Sequence, residues 1–196
     1  GWLVASTKRL RVLGFAGSLR KGSFNKLLLE AAVHHAPDQM CINTHSLGGL
    51  PLFNQDIEQE EVPLEVIEFK QAIADADGLL VVTPEYNFGT SAVTKNALDW
   101  ASRSSHPGNV LAGKPLSIMG VSGGTTGNTS MARMAVRQTV LYPGALPMPY
   151  GDIGLGGGSS NFDQRGDLRE ESVRQQVTNA LMVFADWIEL VQGSRW

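Results

Sequence analysis

Three short segments of the chain carry residue types that could bind an anion and a flat polar ring. The first, Gly17-Ser18-Leu19-Arg20-Lys21-Gly22-Ser23-Phe24-Asn25, places two hydroxyls, a guanidinium and a side-chain amide (Ser18, Ser23, Arg20 and Asn25) close together. A guanidinium is a planar fork that matches two phosphate oxygens at once. If a helix begins at the end of this loop, its free N–H groups and its dipole add further attraction for an anion. Such a set suits a phosphate monoester. No Gly-Lys-Ser/Thr follows, so the loop is not of the nucleoside-triphosphate kind. An N-capping serine after a solvated Arg-Lys turn would account for fewer of these residues.

The second segment is Thr83-Pro84-Glu85-Tyr86-Asn87-Phe88-Gly89, a tight excursion bracketed by Pro84 and Gly89. It could offer backbone N–H and C=O groups to a flat heterocycle, with Tyr86 against the rim. An ordinary turn with an aromatic anchor would read the same way. The third is Ser122-Gly123-Gly124-Thr125-Thr126-Gly127, where glycines allow backbone to approach a ligand closely.

The elements that must position these loops follow from hydrophobic period. Arg11–Phe15, Met40–His45, Gly78–Thr83 and Pro115–Val121 are short apolar or β-branched runs that read as strands, with a fifth near Ala145–Met148 despite Pro143, Pro147 and Pro149. Between them, apolar residues recur every three or four positions. Phe24, Leu27, Leu28, Ala31 and Ala32 mark one helix, and Val66, Phe69, Ile73 and Ala76 a second opened by Pro63. Helices over Ser91–Arg103 and Asn128–Leu141 follow, and the last keeps its period from Val173 to Val191. Five strand–helix pairs predict an α/β fold, a parallel sheet with helices on both faces and right-handed crossovers. All three loops then follow strands at the carboxyl edge of the sheet, where ligands bind in such folds.

Composition narrows the function. The 196 residues suit a single domain spanning 1–196, with 1–9 a flexible tail. A net charge of −3 with no basic stripe argues against nucleic acid as a partner. No apolar run reaches the roughly 20 residues that cross a bilayer, so no membrane role is expected. The lone Cys41 excludes an internal disulfide and reads as a buried strand thiol in a cytoplasmic protein. His34, His35, His45 and His106 do not pair with Cys or carboxylates at metal spacing, so no metal is expected. Glu58, Glu60 and Glu61 read as a solvated turn, Asp75 and Asp77 as solvated carboxylates, and Gly151–Gly166 as a surface loop without a cofactor role.

Taken in order from about Leu10 to Gln138, the strings GSLRKGSFN, TPEYNFG with KNALDW behind it, and GKPLSIMGVSGG resemble the NADPH-dependent FMN reductase family, and within it the bacterial quinone and chromate reductases. The resemblance implies a flavodoxin-like three-layer sandwich with a five-stranded parallel sheet of order 2-1-3-4-5. It implies FMN as cofactor, with Ser18, Arg20, Ser23 and Asn25 at its phosphate and Phe24 also in the binding loop. Pro84, Glu85, Tyr86 and Asn87 would border the isoalloxazine ring, and Ser122, Gly123 and Gly124 would pass along it. It further implies NADPH or NADH as co-substrate, a quinone or similar small-molecule acceptor (chromate, an azo compound or a flavin), and a homodimer or homotetramer. The redox chemistry would belong to FMN, so no residue is assigned as an acid or base. The chain departs from its relatives at Thr94, where an apolar residue is common. The alternative is a flavodoxin-type electron carrier that binds FMN and docks to a protein. Such carriers have an arginine-free phosphate loop and a strongly acidic face, unlike Arg20 and a net charge of −3.

Overall fold

The computed structural model describes residues 9–124 and 127–194. Most of the proposed tail, residues 1–8, lies outside them. Arg9 does not belong to a free tail, because its Nε donates to the Asp38 carbonyl at 2.8 Å.

In chain order the elements are β1 (Leu10–Ala16), α1 (Phe24–His34), β2 (Met40–His45), α2 (Gln55–Glu60), α3 (Leu64–Asp75) and β3 (Gly78–Val82). A hairpin of β4 (Glu85–Tyr86) and β5 (Gly89–Thr90) follows, then α4 (Ala92–Ala101), β6 (Pro115–Val121) and α5 (Ser130–Leu141). The chain then forms β7 (Leu146–Pro147), β8 (Ile153–Leu155), a 3-10 turn over Gly158–Asn161, and α6 (Glu171–Gly193). The sheet runs β2-β1-β3-β6-β7 with every pairing parallel. This is the flavodoxin-like order anticipated from the sequence. Helices α1 and α6 cover one face through Leu28, Ala32, Leu181 and Phe184, while α3, α4 and α5 cover the other through Phe69, Ile73, Leu98 and Val136. Strands β3 and β6 are buried along their whole length, as their unbroken apolar runs require.

The fifth sheet position departs from expectation. It is not one strand over Ala145–Met148 but two short strands laid end to end along β6. Strand β7 pairs with Pro115 and Leu116, and β8 pairs with Met119–Val121. Pro147 and Pro149 have no N–H to continue a ladder, so pairing stops and resumes at Ile153. The segment Gly151–Gly166 therefore contributes a sheet strand at Ile153–Leu155 and is not a simple surface loop.

Other expectations are also corrected. The acidic stretch forms α2, capped by Asn54, whose Oδ1 accepts from the Asp56 N–H at 2.9 Å. Its Glu58 is not solvated, since the largely buried carboxylate accepts from Arg103 Nε at 2.9 Å. Asp77 is largely buried too, accepting from the Arg11 N–H at 2.8 Å. Cys41 is half-buried rather than buried. Among the described residues no helix is long and apolar enough to cross a membrane, and no cluster of His, Cys, Asp or Glu could hold a metal ion.

Lys70 is a polar member of the helix layer that periodicity does not reveal. It is fully buried, and its Nζ donates to the carbonyls of Arg103 and Ser105 at 2.8 and 2.6 Å, just past the C-terminus of α4. Burial lowers its pKa to about 8, against the attraction of Glu58. The unfolded chain, with the ordinary value of 10.5, then holds more protons than the folded chain between these two values, so stability rises with pH across that window. Denaturant unfolding at pH 7 and 9.5 should show the wild type gaining on the order of 1–2 kcal/mol relative to Lys70→Met. Identical pH dependence in the two proteins would contradict this account.

Candidate functional site

The first loop leaves β1 at Ala16 and enters α1 at Phe24. Its opening residue must be glycine, because a Cβ on Gly17 would lie 1.8 Å from Thr94 Oγ1. Gly17 is held on both sides, its N–H donating to the Val82 carbonyl and its carbonyl accepting from Ser91 Oγ at 2.6 Å. Ser23 caps α1, with Oγ accepting from the Lys26 N–H at 3.4 Å. Ser18 and Ser23 are only 6% and 3% exposed, although both lie in a polar loop. Arg20 is exposed, with its guanidinium carbon 5.1 Å from the centre of the Phe24 ring.

Asn25 has a structural part that its type alone does not reveal. Its side chain is buried, Nδ2 donating to the Val121 carbonyl at 3.0 Å and Oδ1 accepting from the Val121 N–H at 2.9 Å. The amide thus ties the start of α1 to the end of β6 with Oδ1 and one of its two N–H donors, while Asn25 also lines the cleft.

The second loop is a two-residue hairpin in which Glu85 faces Thr90 and Tyr86 faces Gly89. Two-residue hairpins of the I′ kind have positive φ at both central residues, which matches the twist of the strands. Here they are Asn87 at φ 51° and Phe88 at φ 59°, so the left-handed backbone falls on them and not on Gly89. Asn tolerates that region, but an aromatic residue there is strained. The Phe88 side chain is 80% exposed, and Tyr86 is also exposed. The Glu85 carboxylate accepts from the Ala132 N–H at 3.0 Å in the first turn of α5. Beneath the hairpin, Thr94 Oγ1 lies within hydrogen-bond distance of Thr83 Oγ1 (3.0 Å) and Ser91 Oγ (2.9 Å), and Thr83 Oγ1 reaches Thr90 Oγ1 at 2.8 Å. Thr94 is thus a fully buried link in a hydroxyl chain, which explains a polar residue at that position.

The third loop leaves β6 at Val121. Among the described residues, a Cβ on Gly123 or Gly124 would meet nothing within 4 Å. Thr125 and Thr126 lie outside the described residues. The loop is held from behind by Gly157 and Gly158, whose N–H groups donate to the carbonyls of Gly124 (2.8 Å) and Ser122 (2.9 Å).

These loops enclose a cleft of about 180 Å³ lined by Ser18, Arg20, Ser23, Phe24, Asn25, Pro84, Glu85, Tyr86, Val121, Ser122 and Gly123. Of the residues singled out from sequence, Asn87 stands at the hairpin tip and Gly124 one residue beyond the lining. One end of the cleft offers hydroxyls, a cation and a helix N-terminus. The other offers an aromatic edge and backbone of two loops. The sequence reading missed the hydroxyl chain of Thr83, Thr90, Ser91 and Thr94, and the support from Gly157 and Gly158. The run Gly156-Gly157-Gly158 was a visible signal for the latter, but it lacked the strand-then-helix frame of a cofactor motif.

Comparison with known proteins agrees with the geometry. The profile of the family described as NADPH-dependent FMN reductase matches residues 10–159. An NAD(P)H-dependent FMN reductase of Pseudomonas aeruginosa is 35% identical over 184 residues, covering 94% of this chain and 98% of the relative. A 2-hydroxy-1,4-benzoquinone reductase of a Burkholderia species is 38% identical over 91% of this chain and 96% of the relative. Among solved structures, the flavoenzyme NAD(P)H:(acceptor) oxidoreductase FerB of Paracoccus denitrificans superposes with a TM-score of 0.80 at 28% identity, over 92% of this chain and 98% of FerB. With its matching strand order and cleft, the chain belongs to the NADPH-dependent FMN reductase family of flavin oxidoreductases.

Proposed function

We propose that this chain is a single FMN-binding domain that takes hydride from NADPH or NADH and delivers it to a quinone. The observation that carries the reading is the cleft itself, with an anion-binding end and a flat-ring end on one sheet edge. The donor set fits FMN. Ser18, Ser23 and the Arg20 fork, with the first N–H groups of α1, match a phosphate dianion. The open backbone at Ser122–Gly124 and the hairpin from Pro84 to Asn87 leave room for a planar ring. When bound, FMN supplies the two-electron redox chemistry.

The protein's contribution is to bind and orient. Arg20 neutralises phosphate charge and fixes its direction, and Asn25 keeps the start of α1 against the end of β6. Glu85 anchors the hairpin to α5, so the Pro84–Asn87 backbone stands at a fixed distance from the glycine loop. Tyr86 and Asn87 shape the face on which the nicotinamide and then the acceptor lie. A quinone is favoured as acceptor because the Burkholderia relative is a benzoquinone reductase. Chromate, azo compounds and free flavins are further acceptors within the same proposal.

Two wider readings accompany it. The exposed apolar residues Met131, Met134, Leu141 and Tyr142 on α5 and its C-terminal end, with Phe88 on the hairpin, support a homodimer or homotetramer. The unpaired Cys41 supports a reducing, cytoplasmic setting.

Air-free mixing with NADPH or NADH should bleach the flavin absorbance of the purified protein, and benzoquinone should restore it. A flavin that is present yet untouched by either nicotinamide would favour a carrier over a reductase. Arg20→Ala should weaken FMN binding by tenfold or more, on the order of 1.5–3 kcal/mol for hydrogen bonds to a charged group, with unchanged thermal unfolding of the flavin-free chain. Equal FMN retention would remove Arg20 from the phosphate site. Light scattering should give the mass of two or four chains, and a single-chain mass at micromolar concentration would reject the oligomer.

A further inference from the structure

The segment after β8 reaches the binding loop through two aromatic rings. Phe24, on the first turn of α1, carries the Arg20 guanidinium 5.1 Å from its ring centre. The same ring stacks on Phe162, with centroids 6.4 Å apart and planes 10° from parallel. Gly158 lies against Phe24 as well. A Cβ there would come within 2.8 Å of Phe24 Cε2 and 3.1 Å of Gly123 Cα, and its φ of 44° is one that side-chain-bearing residues rarely adopt.

Phe162 is itself firmly held. It is 4% exposed and forms an antiparallel bridge with Leu168. Its carbonyl accepts from Arg169 Nη2 at 3.0 Å, and its N–H donates to the Ser159 carbonyl. The Phe24 ring therefore has a fixed neighbour on the sheet-edge segment, and the Arg20 guanidinium lies over the Phe24 ring.

A guanidinium lying on an aromatic ring keeps its N–H groups in its own plane, directed outward and free to grip an anion. Bracing also removes part of the rotamer freedom that a free arginine loses on binding. We infer that Phe162 and Gly158 are positioning residues that hold Phe24, and through it the Arg20 guanidinium, in place for the FMN phosphate. This rests on the reading of the Gly17–Asn25 loop as the phosphate site. It gives the glycine-rich segment 151–166 a part in cofactor selection although it lies outside the cleft lining.

The test compares FMN with riboflavin, which has the same ring and side chain but no phosphate. The full-length protein, freed of flavin, is titrated with each and followed by flavin fluorescence. Phe162→Leu should raise the FMN Kd roughly three- to tenfold, as expected for loss of a braced cation–π contact, and leave the riboflavin Kd unchanged. Phe162→Tyr, which keeps the stacked ring, should restore FMN binding. In an Arg20→Ala background Phe162→Leu should add no further loss for FMN, since both changes act on one contact.

Equal losses for both flavins would mean that Phe162 is only a core residue, and the inference falls. No change in either Kd, or a tyrosine no better than leucine, overturns it as well. If Phe162→Leu does not fold, Phe24→Leu at a half-exposed position must show the same phosphate-selective loss, and its absence is equally decisive. A wild-type protein that binds FMN no better than riboflavin would instead refute the phosphate-loop reading, and this inference with it.

Discussion

The two hydrogen bonds exchanged between Asn25 and the Val121 peptide determine where everything else in the cleft can stand. They join residues 96 positions apart, in a buried setting where an unpaired amide would be costly. The start of α1 carries the first loop, and the end of β6 carries the glycine loop. With those two points fastened together, both loops face the same side of the sheet edge. The bond is also local to the crevice outside the strands' carboxyl ends, where the order β1-β3-β6 creates space for a ligand.

Around this clasp the chain uses buried polar links instead of apolar packing. Gly17, Thr83, Thr90, Ser91 and Thr94 connect the ends of β1 and β3 to the hairpin and the start of α4. Hydroxyl chains are directional, so they hold a backbone at a defined distance where a hydrophobic contact would tolerate sliding. The close approach of Gly17 to Thr94 follows from that geometry. The hairpin itself stores strain at Phe88, which is sustainable because Glu85 and Thr90 fasten both of its strands. Strain of this kind suits a rigid edge against a flat ligand.

The glycine-rich stretch after β7 shows how one element supports two loops. Its β8 strand completes the pairing of β6, Gly157 and Gly158 hold the third loop from behind, and Phe162 stacks under the first. A segment low in periodicity and rich in glycine looks dispensable from composition alone. Its small residues are what permit backbone to lie against the Phe24 ring and Gly123 at once.

Much of the fold was legible in the sequence because its signals are local. The apolar runs of β3 and β6 and the helical period of α6 follow from burial on one or two faces, and the loop Gly17–Asn25 announces an anion site by residue type. The family resemblance extended that to FMN and to the strand order. What tertiary structure decided depends on partners distant in the chain. Asn25 is fastened to Val121 and Glu85 to the start of α5, neither bond being visible in residue type, and Glu58 read as a solvated acid until Arg103 reached it. A side chain's type sets which bonds it can make. Only the folded chain determines which partner lies near enough to claim them, because hydrogen bonds and ion pairs act over a few ångströms while sequence separation says nothing about that distance.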